Sequence, residues 1–569
     1  MDAQQFLAEF GHIANAPRGV DRLRELILSL AVQGRLVTQC ATDEPAETFL
    51  AHCANHKKDL IAGKFIRRQT PVRNVFDKEK IFSLPSNWEW TRLGTLTTKL
   101  TDGSHNPPKG VAHGYSMISS QNVLDGRIDF SNLSRLLSEE DFLKEDERTQ
   151  VKPGDVLLTI VGTIGRSAVV PVGTEKFAMQ RSVAVISSPM VPEYLSIQLR
   201  SPIVRAYFNI HGKGTAQKGI YLAKLAELPI TVPPFQEQSR IVVKVDELMA
   251  LCEKLEAQQK DRRRLQNTLR QSTLQAVANS QSRQELKNTW ARLEANFGRM
   301  FRAPEDIRLL RDTVFDLGLR GALLSDAKVN SSIEVSSDGA ASLPDGWQWK
   351  TLADLSEYIT SGSRGWRTYM SNVGDAFIRS QDIKNDALIF ETPAFVSLPE
   401  KAEGKRTLVR QGDLLITITG GNVGKCAIVP ALEQNAYVSQ HVALIRLRNV
   451  WLTDFIHFWM INSFGGRRFL SRYIYGDKPG LNLTQVGSVP IPVPPKAACF
   501  DVLGSLRSYQ KLGDQLEKHL RFKQELASSV AVAAVSNLAG IAIKQKEDEP
   551  RKAPQAELTA ASVWVSPYM

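Results

Sequence analysis

Apolar positions along this chain fall into two alternating regimes. Short runs rich in Val, Ile and Leu, cut by Gly and Pro, predict strands and turns. They occupy residues 117–123 (MISSQNV), 155–161 (DVLLTIV), 167–171 (SAVVP) and 182–187 (SVAVIS). The same set returns at 377–383 (FIRSQDI), 413–419 (DLLITIT), 426–430 (CAIVP) and 441–447 (HVALIRL). Each set opens on a matching segment, LPSNWEWTRL at 84–93 and LPDGWQWKTL at 343–352. Each also closes on one, GIYLAKLAELPITVPP at 219–234 and GLNLTQVGSVPIPVPP at 480–495. Order and spacing are kept, and the period is far too long for a solenoid. The chain therefore carries a duplicated domain, at 84–235 and 343–495. Alternation along a strand would place Trp88 with Trp90, and Trp347 with Trp349, on one face. These pairs read as packing at the start of each domain.

The second regime is helical. After Pro233 and Pro234, residues Ile241, Val245, Leu248, Cys252 and Leu255 follow a 4-3-4-3 spacing, which is a coiled-coil seam. Gln259, Arg262 and Gln266 interrupt it before Leu269 resumes it. After Pro494 and Pro495, Leu503, Leu506, Tyr509, Leu512, Leu516 and Leu520 recur at threes and fours. The two helices could pair antiparallel, or each could pack on its own domain; periodicity leaves both open. A further helical pair, LRELILSLAVQGRLV at 23–37 and LRDTVFDLGLRGALL at 310–324, lies further apart than the domain copies do. The linkers behind it differ accordingly: 38–83 is long and basic, 325–342 short and rich in Ser, Asp and Ala. The expected organisation is an N-terminal helical region and linker (1–83), domain one (84–235), a central helical region and linker (236–342), domain two (343–495) and a C-terminal helical region (496–543). The charged, Pro-containing stretch 544–569 reads as a disordered tail.

Charge narrows the partner. A net charge of +11 and a pI near 9.3 favour a polyanion, nucleic acid first and anionic membrane second. Cys40, Cys53, Cys252, Cys426 and Cys499 are scattered without a CxxC pair, which implies neither a disulfide framework nor a zinc ribbon. That usage fits a reducing cytoplasm. No secretory signal is visible, and the apolar tract 530–543 is too short to span a bilayer. Catalytic signatures are approached and missed. Asn106-Pro107-Pro108 is followed by Lys109, where an amino-methyltransferase loop has an aromatic residue to stack on the flipped base. The stretch 419–426 (TGGNVGKC) has Thr and Cys where a P-loop needs Gly and Ser or Thr. The chain is expected to do no chemistry itself and to hold no metal or cofactor.

In this order, and twice over, these motifs resemble the specificity subunits of type I restriction–modification systems. The residues that carry the resemblance are the LPxxWxWxxL openings at Leu84 and Leu343, TDGSHNPPKG at 101–110, and the GD-L-LTI segments at Gly154 and Gly412. The exit ending at Glu237 and LAVQGRLV at 30–37 complete the set. The resemblance covers roughly 20–540. It implies an α+β fold: two duplicated α/β target recognition domains joined by long helices that pair as an antiparallel coiled coil, with pseudo-two-fold symmetry. It implies that each domain reads one half of a split, asymmetric double-stranded DNA target. The helices, through Ile241, Val245, Leu248, Cys252, Leu255, Leu506, Leu512, Leu516 and Leu520, would dock two methyltransferase subunits. S-adenosylmethionine, ATP and Mg would sit on the methyltransferase and restriction subunits. Half-sites one DNA turn apart need about 34 Å, or some 23 residues of helix at about 1.5 Å each. Inserting or deleting a helical turn near Gln258 is therefore expected to change the spacer of the methylated motif, and an unchanged spacer would count against it.

Divergence between the copies marks the candidate readers, since base edges take Arg, Lys, Asn, Gln, Ser and Thr. In copy one these are Thr101, Asp102, Gly103, Ser104, His105, Asn106, Lys109, Ser120 and Gln121, with Arg166, Arg181 and Lys213 as basic candidates. In copy two they are Ser361, Ser363, Arg364, Trp366, Arg367, Arg379 and Gln381, with Lys425, His441 and Lys478. Two other classes compete. A self-contained methyltransferase or nuclease would bind S-adenosylmethionine as an isolated chain. A coiled-coil adaptor for proteins alone would show no salt-dependent retention on DNA.

Overall fold

In the computed structural model the strand runs of the two copies build the same topology twice. The structure describes residues 10–11, 13–213, 218–280, 282–319, 321–322, 343–363, 365–399, 404–476 and 479–539. The chain divides into two compact units, 1–260 with 524–550 and 261–523 with 551–569. The tail 544–569 and the linker 325–342 lie outside the described residues.

The first unit opens with helices α1 (Gly19–Val32) and α2 (Ala46–Ala62). Its recognition domain follows with β1 (Glu89–Arg92), β2 (Lys99–Asp102), β3 (Tyr115–Ile118), β4 (Val156–Thr159), β5 (Ser167–Val169), β6 (Phe177–Met179) and β7 (Val183–Ser187). Helix α3 (Pro192–Arg200) and β8 (Pro229–Val232) complete it before the long helix α4 (Phe235–Ala278). An antiparallel sheet runs in the order β2-β7-β4-β5. Beside it β3 and β6 pair in parallel, and β1 closes on β8. Strands β4 and β7 are covered on both faces, which is why their sequence is a continuous apolar run instead of an alternation. Val156, Leu158, Ala184 and Ile186 face the core shared with α1 and α3. Leu157, Val183 and Val185 face a second core with Ile118, Phe177 and Met179.

The second unit begins within α4 and continues through α5 (Arg283–Met300) and α6 (Ile307–Leu319). Its recognition domain contains β9 (Gln348–Thr351), β10 (Ser356–Ser361), β11 (Asp375–Ile378), β12 (Leu414–Thr417), β13 (Cys426–Ile428), β14 (Ala436–Val438) and β15 (Val442–Leu447). Helix α7 (Thr453–Ile461), β16 (Pro490–Val493) and helix α8 (Lys496–Ala539) follow. The sheet order β10-β15-β12-β13, the parallel pair β11 and β14, and the closure of β9 on β16 repeat the first domain strand for strand. Leu414, Ile416, Ala443 and Ile445 face one core, and Leu415, Val442 and Leu444 the other.

The repeated Gly-Asp ahead of β4 and β12 has a structural reason. Gly154 and Gly412 adopt φ of 86° and 87°, a left-handed conformation that costs glycine little. The next residue is a buried acid. Asp155 accepts from Lys152 N–H (2.8 Å) and Lys99 Nζ (2.6 Å). Asp413 accepts from Arg410 N–H (2.7 Å) and a forked Arg446 (2.9 and 2.6 Å). The acid is copied, and its cationic partner comes from a different strand in each domain.

Both arrangements considered for the long helices are realised. Ile241, Val245, Leu248 and Cys252 are buried in the core of the first unit, with Leu23 and Ile27 of α1 and with Ala531 and Ala539 of α8; Leu255 packs at its margin. Leu506 lies in the core of domain two beside Val502 and Leu503. Leu520, with Leu512 and Leu516, packs against Leu274 and Val277 of α4 and against α5 and α6. The first half of α4 thus meets the end of α8, and the second half of α4 meets earlier residues of α8, so the two run antiparallel. This corrects the assignment of these seam residues to partner docking. Their side chains are consumed inside the chain, and only the outer faces of the helices are left for a partner. Helix α5 carries the same periodic signal, with Leu286, Trp290, Leu293, Phe297 and Met300 buried at fours and threes.

The tryptophan pairs also differ from expectation in domain one. Trp88 precedes β1, and its Nε1–H donates to Glu237 Oε2 at the start of α4 (3.0 Å), while Trp90 packs on Phe82 of the linker. In domain two, Trp347 and Trp349 do pack together on α7, against Phe455 and Trp459. Burial pushes Glu237 above the usual carboxylate range, against the pull of the hydrogen bonds from Trp88 and Gln39. A raised acid favours the folded state fully below its unfolded pKa of about 4.3, and that contribution is lost as pH rises through the folded value. Glu237→Gln is expected to flatten this segment of the stability-against-pH curve. Glu237→Ala, which strands the Trp88 N–H, is expected to cost about 1–3 kcal/mol, read from urea midpoints at several pH values.

Candidate nucleic-acid interface

In domain one the divergent loops gather at one end of the β2-β7-β4-β5 sheet, held there by backbone hydrogen bonds. Ser104 N–H donates to Met179 O (2.8 Å), and Arg181 N–H to Ser104 O (2.9 Å). Ser120 N–H donates to Ser182 Oγ (3.1 Å), and Ile160 N–H to Ser182 O (2.9 Å). On the other flank Gly162 N–H reaches Lys218 O (3.1 Å), and Lys213 is bridged to Gly219. Segments far apart in sequence, 103–106, 119–121, 161–166, 180–182, Lys213 and 218–219, thereby form one tip. Domain two repeats the pattern. Gly362 N–H donates to Ser439 O (3.2 Å), Ile418 N–H to His441 O (2.9 Å) and Leu481 N–H to Ile418 O (2.8 Å). The Asn422 amide ties the hairpin turn to Ser380 O (3.3 Å).

The tip presents some candidates and internalises others. His105, Asn106, Lys109, Gln121, Arg181 and Lys213 are exposed, and Ser120 and Arg166 half-exposed. In domain two Arg367, Gln381 and His441 are exposed, and Ser361, Ser363 and Lys425 half-buried. Arg364 and Lys478 lie outside the described residues.

Several assignments are corrected. Asp102 is buried and paired with Arg148, and it holds the His105 ring at 3.1 Å, so its carboxylate is engaged. Thr101 sits within β2, its hydroxyl on Asp102 O (3.3 Å). Ser104 is buried in the bridge to Gln180. Trp366 is a core residue, stacked on Phe377 at 5.3 Å and against Tyr437. Arg379 is spent locally, with Nε and a terminal nitrogen on Asp382 (3.1 and 3.0 Å) and another bond to Thr392 O.

Gly103 is also structural. A Cβ there would lie 2.0 Å from Met179 O, and the matching Gly362 would meet Val438 O at 2.2 Å. Backbone cannot yield as a side-chain end can. Gly103→Ala is therefore expected to cost about 1–3 kcal/mol and to displace only the tip of domain one. Methylation-motif sequencing should then show degraded recognition of one half-target and normal recognition of the other.

What the sequence reading missed are Thr419, which pairs with the His441 ring, and Arg406, which donates to Ser363 Oγ (3.2 Å). Neither has a local signal, because each contact spans a long stretch of chain.

The family described as "Type I restriction modification DNA specificity domain" matches residues 109–262, which is most of domain one and the start of α4. The EcoEI type I restriction enzyme specificity subunit of Escherichia coli is 27% identical, over 91% of this chain and 94% of that protein. The chain is thus similar, over most of its length, to specificity subunits of type I restriction–modification systems. The EcoAI specificity subunit of Escherichia coli is 25% identical over 78% of this chain and 81% of that protein. A chain solved in work on assembly and conformational transition of the type I R-M system is 18% identical, covers 80% of this chain and 99% of its own length, and has a TM-score of 0.48.

In this chain the near-motifs resolve into framework. β12 and β13 are antiparallel neighbours (Leu414↔Ile428), so the Gly-rich 419–426 stretch is a hairpin turn that leads into a strand, where a P-loop leads into a helix. Cys426 lies buried in β13, and burial pushes its thiol well up. The loop at Asn106 is pinned by Arg135, which donates to Pro107 O (3.0 Å) and Pro108 O (2.6 Å). Among the described residues no group of His, Cys, Asp or Glu is placed to hold a metal ion, and no helix is long and apolar enough to cross a membrane. All five cysteines are free thiols.

Proposed function

We propose that this chain reads a bipartite, asymmetric sequence in double-stranded DNA, one half with each domain, and supplies that specificity to a complex without catalysing a reaction itself. One observation carries the reading: two sheets of identical topology present unlike polar loops at the same end. A copied framework suits the same task done twice, and unlike loops suit two different half-targets. The surplus of Lys and Arg supplies the phosphate attraction that DNA binding requires.

Catalysis would reside on partners. Two methyltransferase subunits would bring S-adenosylmethionine and methylate adenine. Restriction subunits would bring ATP and Mg to translocate and cut. The complex would work in the cytoplasm. With the helix seam buried, methyltransferases would dock on the outer faces of α4 and α8. The test is a genome-wide map of methylated adenines with and without this gene, its neighbours being left intact. Loss of one bipartite motif is the expected result. An unchanged methylome in a strain whose partner genes are expressed would refute the proposal.

A further inference from the structure

The centre of each tip is occupied by the residues that lead into the second strand of the sheet, β7 or β15. Each of these strands has a neighbour on both sides, so the approach to it lies between the two loop clusters. In domain one this approach is Arg181-Ser182 and in domain two Gln440-His441, equivalent by the strand register that follows (Val183↔Thr159 and Val442↔Thr417). The backbone is held alike in both: Ile160 N–H binds Ser182 O in one, and Ile418 N–H binds His441 O in the other. The side chains are not alike. Arg181 is exposed and makes no ion pair among the described residues. In domain two a polar chain runs across the tip: the Gln440 amide N–H donates to His441 Nε2 (3.1 Å), and His441 Nδ1 pairs with the Thr419 hydroxyl. Thr419 stands on the hairpin turn after β12, so the chain fixes Gln440 to the sheet from the side.

We infer that Arg181 and Gln440 are the central base readers of the two domains, Arg181 for a guanine and Gln440 for an adenine, and that His441 and Thr419 position Gln440. The inference rests on the proposed function and adds the base class to it. A guanidinium offers parallel N–H donors, which match the O6 and N7 acceptors of guanine in the major groove. An amide whose one N–H is engaged by His441 keeps a second N–H and its carbonyl. That donor–acceptor pair matches N7 and the N6 amino group of adenine. Tethering also removes rotamer freedom from Gln440 before it binds, which lowers the cost of reading.

The experiment uses the whole methyltransferase complex with its native partners. Arg181→Ala, Gln440→Ala, His441→Phe and His441→Asn are compared with wild type for the per-position preference of the methylated motif and for the salt dependence of DNA binding. Arg181→Ala should relax one guanine position in one half of the motif, with discrimination falling about 10- to 100-fold. Gln440→Ala should relax one adenine position in the other half by a similar factor. His441→Phe should relax that same adenine position, and His441→Asn, which keeps a polar group beside Gln440, should relax it less. In every variant the untouched half serves as an internal control for folding, and the salt slope should stay within one unit of wild type. Unchanged preferences in both halves would overturn the inference and leave the proposed function standing. So would a uniform loss of binding with a shallower salt slope, since that is how a phosphate contact behaves. A wild-type complex with no bipartite motif would instead defeat the proposed function itself.

Discussion

Asp306→Ala is expected to be among the most destabilising single substitutions in the second unit, at about 3 kcal/mol. Asp306 is fully buried where α5 turns into α6, and two arginines of α4 converge on it. Arg263 reaches it at 3.0 and 2.6 Å and Arg270 at 2.7 Å. Its carboxylate also accepts the backbone N–H groups of Arg302 and Ala303, both at 2.9 Å. Burial pushes the acid up, but Arg263, the two N–H groups and Arg270 together hold it below the usual carboxylate range. Removing it leaves Arg270, only 11% exposed, without its charge partner. Breaking a buried pair from one side typically costs about 3–5 kcal/mol, and the low end applies because Arg263, at 34% exposure, regains solvent. A lowered acid contributes above its unfolded pKa of about 3.9, and that contribution is lost as pH falls through the folded value. The deficit of the variant should thus be constant near neutrality and shrink only in strong acid. Urea unfolding at pH 7 and pH 3 measures both; equal deficits at the two values would refute the account.

The second large effect concerns DNA. Arg166, Lys213 and Lys218 flank the hairpin turn of domain one, their backbones drawn together by the Gly162 to Lys218 bond and the Lys213 to Gly219 bridge. If each neutralises one phosphate, the triple alanine variant should lose about 0.9 of salt slope per contact, or about 2.7 in total. At about 0.1 M salt this corresponds to an affinity loss of about 10² to 10³-fold. The loss should be uniform over specific and unrelated DNA, because phosphates carry no sequence information. Fluorescence anisotropy of the assembled complex across a salt series reads this directly. A wild-type slope in the variant would remove these three residues from the interface.

Much of the framework was legible because its causes are local. Strands β4, β7, β12 and β15 announced themselves as apolar runs, since both faces are covered. The Gly-Asp pair and the WxW openings recurred because they hold each domain together. The candidate site was less legible. Trp366 stood in a polar loop and looked like a reader, yet its ring is covered by Phe377 and by Tyr437, which lies far along the chain. Asp102 looked available until Arg148 was seen to claim it across 46 residues. Arg379 could have been set aside from sequence, because Asp382 stands three residues away in a capping arrangement.

The amino-acid order alone determined the duplication, the strand and helix content, the positive charge and the divergence of the loops. Each of these depends on near-neighbour chemistry: φ/ψ preference, apolar periodicity and turn residues. Only the tertiary structure decided which partner covers an apolar face, and so turned Ile241, Val245, Leu248 and Cys252 from a docking seam into core. Only it gathered 103–106, 119–121, 161–166, 180–182, Lys213 and 218–219 at one end of the sheet of domain one, with Arg181 at its centre, and placed Gln440 at the matching point of domain two. Burial and convergence are set by contacts between residues far apart in sequence, which no local pattern records.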